Sequence, residues 1–267
     1  MHGFADKNAP GQPSQPSAGL IIQVDDVSKN FGTLTAVSHV SCRVNKGELC
    51  GLVGSDGAGK TTLLRMIAGM IPPTTGSIYV GGFHGVRQRS AVKEQIGYMP
   101  QRFGLYQDLT VAENLDFFMD IYGITGAERE QRRERYLGFS NLLPFLDRKA
   151  GALSGGMKQK LGLACILVHQ PQVLILDEPT NGVDPVSREE FWEILAEMKQ
   201  EGMSILVSTA YLDEGQKCEM LILMHRSQVL DIATPNEIQS GFGDLEEAMI
   251  SRIQAVENEA GEGHFAN

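Results

Sequence analysis

The chain has 267 residues, of which 42% are hydrophobic and 21% charged, so it is long enough to bury a large core without disulfides or metals. Its 23 basic and 33 acidic residues leave a net charge of −10, which argues against a nucleic-acid binder held by a bulk basic field. Cys42, Cys50, Cys165 and Cys218 have neither CxxC nor zinc spacing, and no run approaches the roughly 18 apolar residues of a membrane helix.

Met1 to Gly19 is rich in proline, glycine and serine, with no basic n-region and no apolar h-region. It is expected to be a disordered tail rather than a signal peptide, in a cytosolic protein. Strands are predicted at Leu20 to Val24, Leu34 to Val44 and Glu48 to Val53, the last nearly all apolar and therefore buried. A helix is predicted over about Lys60 to Gly69, ended by Pro72-Pro73, and strands at Gly76 to Val80 and Gln95 to Met99. Leu109 to Val168 reads as helical. Within it, the mixed charges of Glu128 to Arg135 predict a solvated helix face. Strands return at Val173 to Leu176, Ser204 to Val207 and Leu221 to Met224, with a helix from Ser187 to Lys199. This alternation predicts an α/β core with a mainly parallel sheet. Residues from Asn258 onward read as a second disordered, acidic tail.

Gly54-Ser55-Asp56-Gly57-Ala58-Gly59-Lys60-Thr61 matches G-x-x-x-x-G-K-[ST] and lies between a predicted strand and a helix. Glycines let successive backbone N–H groups turn inward around phosphate oxygens, and the helix N-terminus adds its free donors. Lys60 reaches the β and γ phosphates, while the Thr61 hydroxyl can bind Mg²⁺. Thr62 follows in the first turn. The pattern predicts a nucleoside triphosphate site. Further on, Val173 to Leu176 runs directly into Asp177 and Glu178, placing two carboxylates at the ligand-binding end of a parallel strand. Asp177 is expected to hold Mg²⁺ through water, and Glu178 to polarise the attacking water.

Leu153-Ser154-Gly155-Gly156-Met157 supplies a second helix start, with Ser154 as N-cap and the two glycines baring backbone donors. In this order, phosphate loop, Ser-Gly-Gly helix start and acid-ended strand resemble the ATP-binding subunit of ABC transporters, over about Leu20 to Gly241. The resemblance implies a phosphate-loop ATPase core of mainly parallel sheet, an antiparallel β subdomain and an inserted α-helical subdomain at about 103–168. Residues 242–267 are expected to hold a C-terminal helix and an acidic tail. The resemblance also implies ATP and Mg²⁺ as cofactors, Phe31 stacking on adenine, and Gln101 contacting Mg²⁺ and water. Ser154, Gly155 and Gly156 would close over ATP held by a second nucleotide-binding domain, and Asp184 is the key acid of a loop crossing to that partner.

Met157-Lys158-Gln159-Lys160 and the segment Phe103 to Tyr106 resemble the drug-export branch, and Ala210, in place of a family histidine, resembles the amino-terminal halves of tandem multidrug-export ATPases. The implied partners are integral membrane permease subunits, docked around the aromatics Phe103 and Tyr106, with no nucleic acid. The implied location is peripheral, on the inner face of the cell membrane. One position departs: Ala210 stands where the family has a histidine near the γ-phosphate. That departure raises the alternative of a partner subunit that binds ATP but hydrolyses it weakly.

Overall fold

The structure is a computed structural model that describes residues 19–262; the expected tail before Gly19 and the end of the chain after Glu262 lie outside the described residues. The chain opens with two long strands, β1 (Leu20–Phe31) and β2 (Leu34–Asn45), paired antiparallel. β3 (Leu49–Gly54) follows, and the phosphate loop connects it to α1 (Lys60–Ile67). Next come β4 (Thr75–Val80), the short β5 (Phe83–His84), α2 (Arg89–Gln95) and β6 (Ile96–Met99). Three helices then form the middle third: α3 (Val111–Ile121), α4 (Gly126–Phe139) and α5 (Gly155–Leu167). The remainder alternates through β7 (Val173–Asp177), α6 (Pro185–Gln200), β8 (Ser204–Thr209) and the short α7 (Leu212–Gly215). A hairpin of β9 (Met220–His225) and β10 (Gln228–Ala233), then α8 (Pro235–Gln239) and α9 (Leu245–Glu262), complete the described chain.

Two sheets result. One is antiparallel, ordered β2-β1-β4-β5; the other is ordered β10-β9-β3-β8-β7-β6 and is parallel except for β10. The sequence pattern explains why the second is central. In β7, Val173 and Ile175 pack with α1 and the antiparallel sheet, whereas Leu174 and Leu176 pack with the helical side. Both faces are covered, so every residue of the strand is apolar until Asp177. β3 lies between β8 and β9, so strand order reverses beside the phosphate loop, the place where open α/β sheets bind ligands.

α3 begins with a reciprocal cap. Thr110 Oγ1 accepts from Glu113 N at 3.2 Å, and Glu113 Oε2 accepts from Thr110 N at 2.7 Å. Fully buried Asn114 donates to the carbonyls of Tyr106, Leu109 and Thr110 and accepts from Tyr106 N, which fixes the preceding loop.

Three expectations are corrected. The charged run in α4 is not merely solvated: Arg129 and Arg133 both bind Asp116 of α3, Arg132 binds the Val168 carbonyl, and Arg135 binds Glu201. Long side chains with fixed charge reach across to neighbouring elements from a face that periodicity alone assigns to water. Phe103 is half-buried, 5.6 Å from the Phe118 ring and close against Gly162, so only Tyr106 of the predicted docking pair projects outward. The last helix continues through the residues after Asn258 to Glu262, into the stretch read as a tail.

Candidate active site

The carboxyl ends of β3, β7 and β8 lie side by side, with Val53 opposite Thr209 and Asp177 opposite Ser208. A cavity of about 490 Å³ opens above them, lined by Asp56, Gly57, Ala58, Gly59, Lys60, Thr61, Thr62, Gln101, Glu178 and Asn181, and closed on one side by Leu34 to Ala36 and Ser227. The predicted Gly54 and Ser55 are not in its lining; their carbonyls accept from Lys60 Nζ, at 2.7 and 3.2 Å. Gly59 is obligatory on two counts. Its φ is 104°, and a Cβ there would lie 2.4 Å from the Ala36 carbonyl of β2.

The loop is strapped from a direction the sequence did not reveal. Arg226 and Ser227, with φ of 43° and 69°, make the tight turn between β9 and β10. Ser227 N donates to the Ala58 carbonyl at 3.1 Å, Ser227 Oγ donates to the Thr35 carbonyl, and Ser38 N donates to the Ser227 carbonyl. One turn thus joins the phosphate loop to the antiparallel sheet. Two consecutive non-glycine residues with positive φ carry no local signal, which is why Ser227 was not predicted.

Lys60, Thr61, Gln101, Asp177 and Glu178 converge. Lys60 Nζ is 3.1 Å from Glu178 Oε1, with both side chains buried. Glu178 Oε2 accepts from Gln101 Nε2 at 2.9 Å and from Asn181 Nδ2 at 3.2 Å. Thr61 Oγ1 and Ser208 Oγ donate to Asp177 Oδ1 at 3.0 and 2.9 Å. Burial pushes the Asp177 carboxyl above its usual range, partly offset by these two hydrogen bonds. Glu178 has φ of 49°, a left-handed conformation that costs a non-glycine residue about 1–3 kcal/mol. Ser208 holds it there, because Glu178 N donates to both the Ser208 carbonyl and its hydroxyl. A serine directly after the apolar run Ile205 to Val207 was the available signal for this residue.

Other predicted residues lie apart from the cavity. Phe31, at the end of β1, is 49% exposed, with the Lys29 ammonium 5.1 Å from its ring centroid. Ser154 caps α5 by accepting from Met157 N at 3.3 Å; Gly155 is exposed and Gly156 is buried. A Cβ on Gly156 would fall 2.3 Å from Ser187 Cβ, so the first turns of α5 and α6 touch there. Asp184 caps α6, accepting from Ser187 N at 2.9 Å, and this bond draws its carboxyl below the usual range.

A polar cluster missed in the sequence supports the strand ends. Glu214 of α7, 1% exposed, accepts from Thr180 Oγ1 at 2.6 Å, Thr209 Oγ1 at 2.5 Å and Arg188 Nε at 3.1 Å. Within Leu212-Asp213-Glu214-Gly215 it looks like any surface acid; only the tertiary fold buries it.

Comparison with known proteins gives the family. Residues 37–181 match the ABC transporter family. Over 220 residues the chain is 49% identical to the probable multidrug ABC transporter ATP-binding protein YbhF of Escherichia coli, covering 82% of this chain but only 38% of that protein. It is 34% identical over 224 residues to the linearmycin resistance ATP-binding protein LnrL of Bacillus subtilis, covering 84% of this chain and 72% of that one. Among solved structures, an ATP-binding subunit of an ABC transporter aligns with TM-score 0.78 and 30% identity, over 87% of this chain and 99% of that one. A dimeric ATP-binding cassette in a post-hydrolysis state with ADP and Pi aligns with TM-score 0.72 and 25% identity, over 80% and 98%. These relatives lend no support to the weakly hydrolysing alternative raised by Ala210. The fold, the converging loop and acids, and these matches establish that the chain belongs to the ABC transporter family and carries its ATP-binding domain.

Proposed function

We propose that the chain binds and hydrolyses ATP and uses the cycle to energise a membrane ABC exporter, by ATP-driven pairing with a second nucleotide-binding domain. The observation that carries this reading is the 3.1 Å approach of Lys60 Nζ to Glu178 Oε1. Triphosphate oxygens in the loop would compete with Glu178 for the Lys60 ammonium, releasing a carboxylate beside the γ-phosphate. Glu178 then accepts a proton from the attacking water, while Gln101 and Asn181 keep its other oxygen oriented. Gly54 to Thr62 hold the phosphates, and Phe31 offers its exposed ring to the base.

The Thr61 hydroxyl and Asp177 carboxylate, 3.0 Å apart, are the hard oxygen donors that suit Mg²⁺. Among the described residues no group of three or more His, Cys, Asp or Glu could hold a metal ion, so phosphate oxygens and water would complete its shell. Bound there, Mg²⁺ neutralises charge on the β and γ oxygens. Ser154 to Gly156 do not line their own chain's cavity, which fits their presentation to ATP on a second copy or a related chain.

The names of YbhF and LnrL support the export branch. No helix among the described residues is long and apolar enough to cross a membrane. With relatives that are ATP-binding proteins of ABC transporters, integral membrane permease subunits are the proposed partners, with the ATP-binding domain on the inner face of the membrane. The transported substrate is not part of this reading.

The test pairs two variants. Lys60→Ala should lose MgATP binding in a nucleotide titration. Glu178→Gln should retain binding while turnover falls by about 10²–10⁴-fold. Unchanged affinity in Lys60→Ala would overturn the assignment of the site.

A further inference from the structure

A second, smaller cavity of about 130 Å³ adjoins the first, sharing Asp56, Glu178 and Asn181 with it and bounded by the end of β8. Its polar groups can be sorted by what they have left to give. Asp56 and Glu178 are acceptors. The Thr180 and Thr209 hydroxyls both donate to Glu214, and Asn181 directs an N–H to Glu178. Ala210 offers nothing. Tyr211 is the exception: among the described residues its hydroxyl has no hydrogen-bond partner.

The residue is nonetheless held firmly. Its N–H donates to Thr209 Oγ1 at 2.9 Å, and Thr209 is itself fixed by buried Glu214. The Arg188 guanidinium lies 4.4 Å from the ring centroid, and Arg188 is anchored in turn on Glu214 and Asp213. The ring is thus positioned by Arg188 from outside the cavity and the backbone by Thr209 of its lining, leaving the Tyr211 hydroxyl as the one uncommitted side-chain O–H among the lining residues.

We propose that Tyr211 is a catalytic residue of this site, donating a hydrogen bond to the γ-phosphate and its attacking water in the transition state. This rests on the proposed hydrolysis of ATP. In that step the water oxygen forms a bond to the γ-phosphorus, and the bond from phosphorus to the bridging oxygen breaks. ADP leaves with the electron pair, and the water proton passes to Glu178. Tyr211 keeps its proton throughout; it would stabilise charge on the transferring group as a hydrogen-bond donor at the cavity wall.

Tyr211→Phe is a clean test because it keeps the ring under Arg188 and deletes only the hydroxyl. With the full chain and any subunits that copurify, single-turnover hydrolysis should slow by about 10–10²-fold while MgATP affinity changes less than about twofold. Tyr211→Phe combined with Ala210→His should recover most of the lost rate, since histidine would return an N–H to the same cavity. A Tyr211→Phe rate equal to wild type would overturn the proposal, and so would parallel losses of rate and affinity, which would signal a structural role. A wild type without any turnover would overturn the hydrolysis reading as well, which separates the two failures.

Discussion

Glu214→Ala probes how the strand ends above β7 and β8 are held. The carboxylate is 1% exposed and accepts from two buried hydroxyls and from Arg188. Deleting it leaves the buried Thr180 and Thr209 hydroxyls without their acceptor and takes one partner from a largely buried guanidinium. Breaking a buried pair by removing one side costs about 3–5 kcal/mol. Arg188 keeps its contact with Asp213 at 3.1 Å, which places the expected loss at the lower end, about 3–4 kcal/mol. For a chain of this size that corresponds to a fall in Tm of roughly 6–16 °C. Glu214→Gln keeps one acceptor oxygen and should lose only about 1–2 kcal/mol. Thermal unfolding of the two variants, with Thr209→Val to close a double-mutant cycle, measures the contribution. A loss below about 1 kcal/mol for Glu214→Ala, or equal losses for alanine and glutamine, would refute the reasoning.

Asp177→Asn should be at least as stable as the wild type at pH 7, although Mg²⁺-dependent hydrolysis is lost. The folded chain holds the Asp177 proton more tightly than the unfolded chain, so stability falls as pH rises from the ordinary carboxyl value of 3.8 through the raised folded value. Unfolding midpoints from pH 4 to 7 should therefore converge at low pH, and a variant less stable at pH 7 would contradict this. The four buried thiols should resist a thiol reagent at pH 8 until the protein unfolds, because burial pushes both Cys42 and Cys218 up to about 12 and raises Cys50 and Cys165 too. Rapid labelling of the native chain would count against it. Tyr106→Ser should weaken membrane association with little change in Tm, whereas Phe103→Ser should lower Tm by removing a ring packed on Phe118. Copurification with the permease and thermal unfolding check the pair.

Local chemistry made much of the site legible. Gly54 to Thr61 encodes its own geometry, because glycine spacing, a preceding apolar strand and a following helix are all read along the chain. Asp177 and Glu178 were legible for the same reason: an apolar strand that ends in acid announces the carboxyl end of a buried parallel strand. What was not legible depends on elements far apart in sequence. Ser227 reaches the loop from 169 positions beyond Ala58, through a turn with no glycine to mark it. Glu214 and Arg188 look like surface charges until α6 and α7 close over them. The arginines of α4 follow the same rule: their partners Asp116, Val168 and Glu201 lie on three other segments, so a single-helix periodicity could not find them.

The contact of Gly156 with Ser187 bears on how parts of this protein could be exchanged with those of relatives. α5 and α6 begin so close together that no side chain fits between them at that point. A graft that brings in a foreign α5 with any larger residue at the Gly156 position would displace the first turn of α6, and Asp184 with it. The two segments are in effect one replaceable cassette. Chimeras should be cut on the N-terminal side of Leu153 and beyond Ser187, never between them, if both surfaces are to keep their relative orientation.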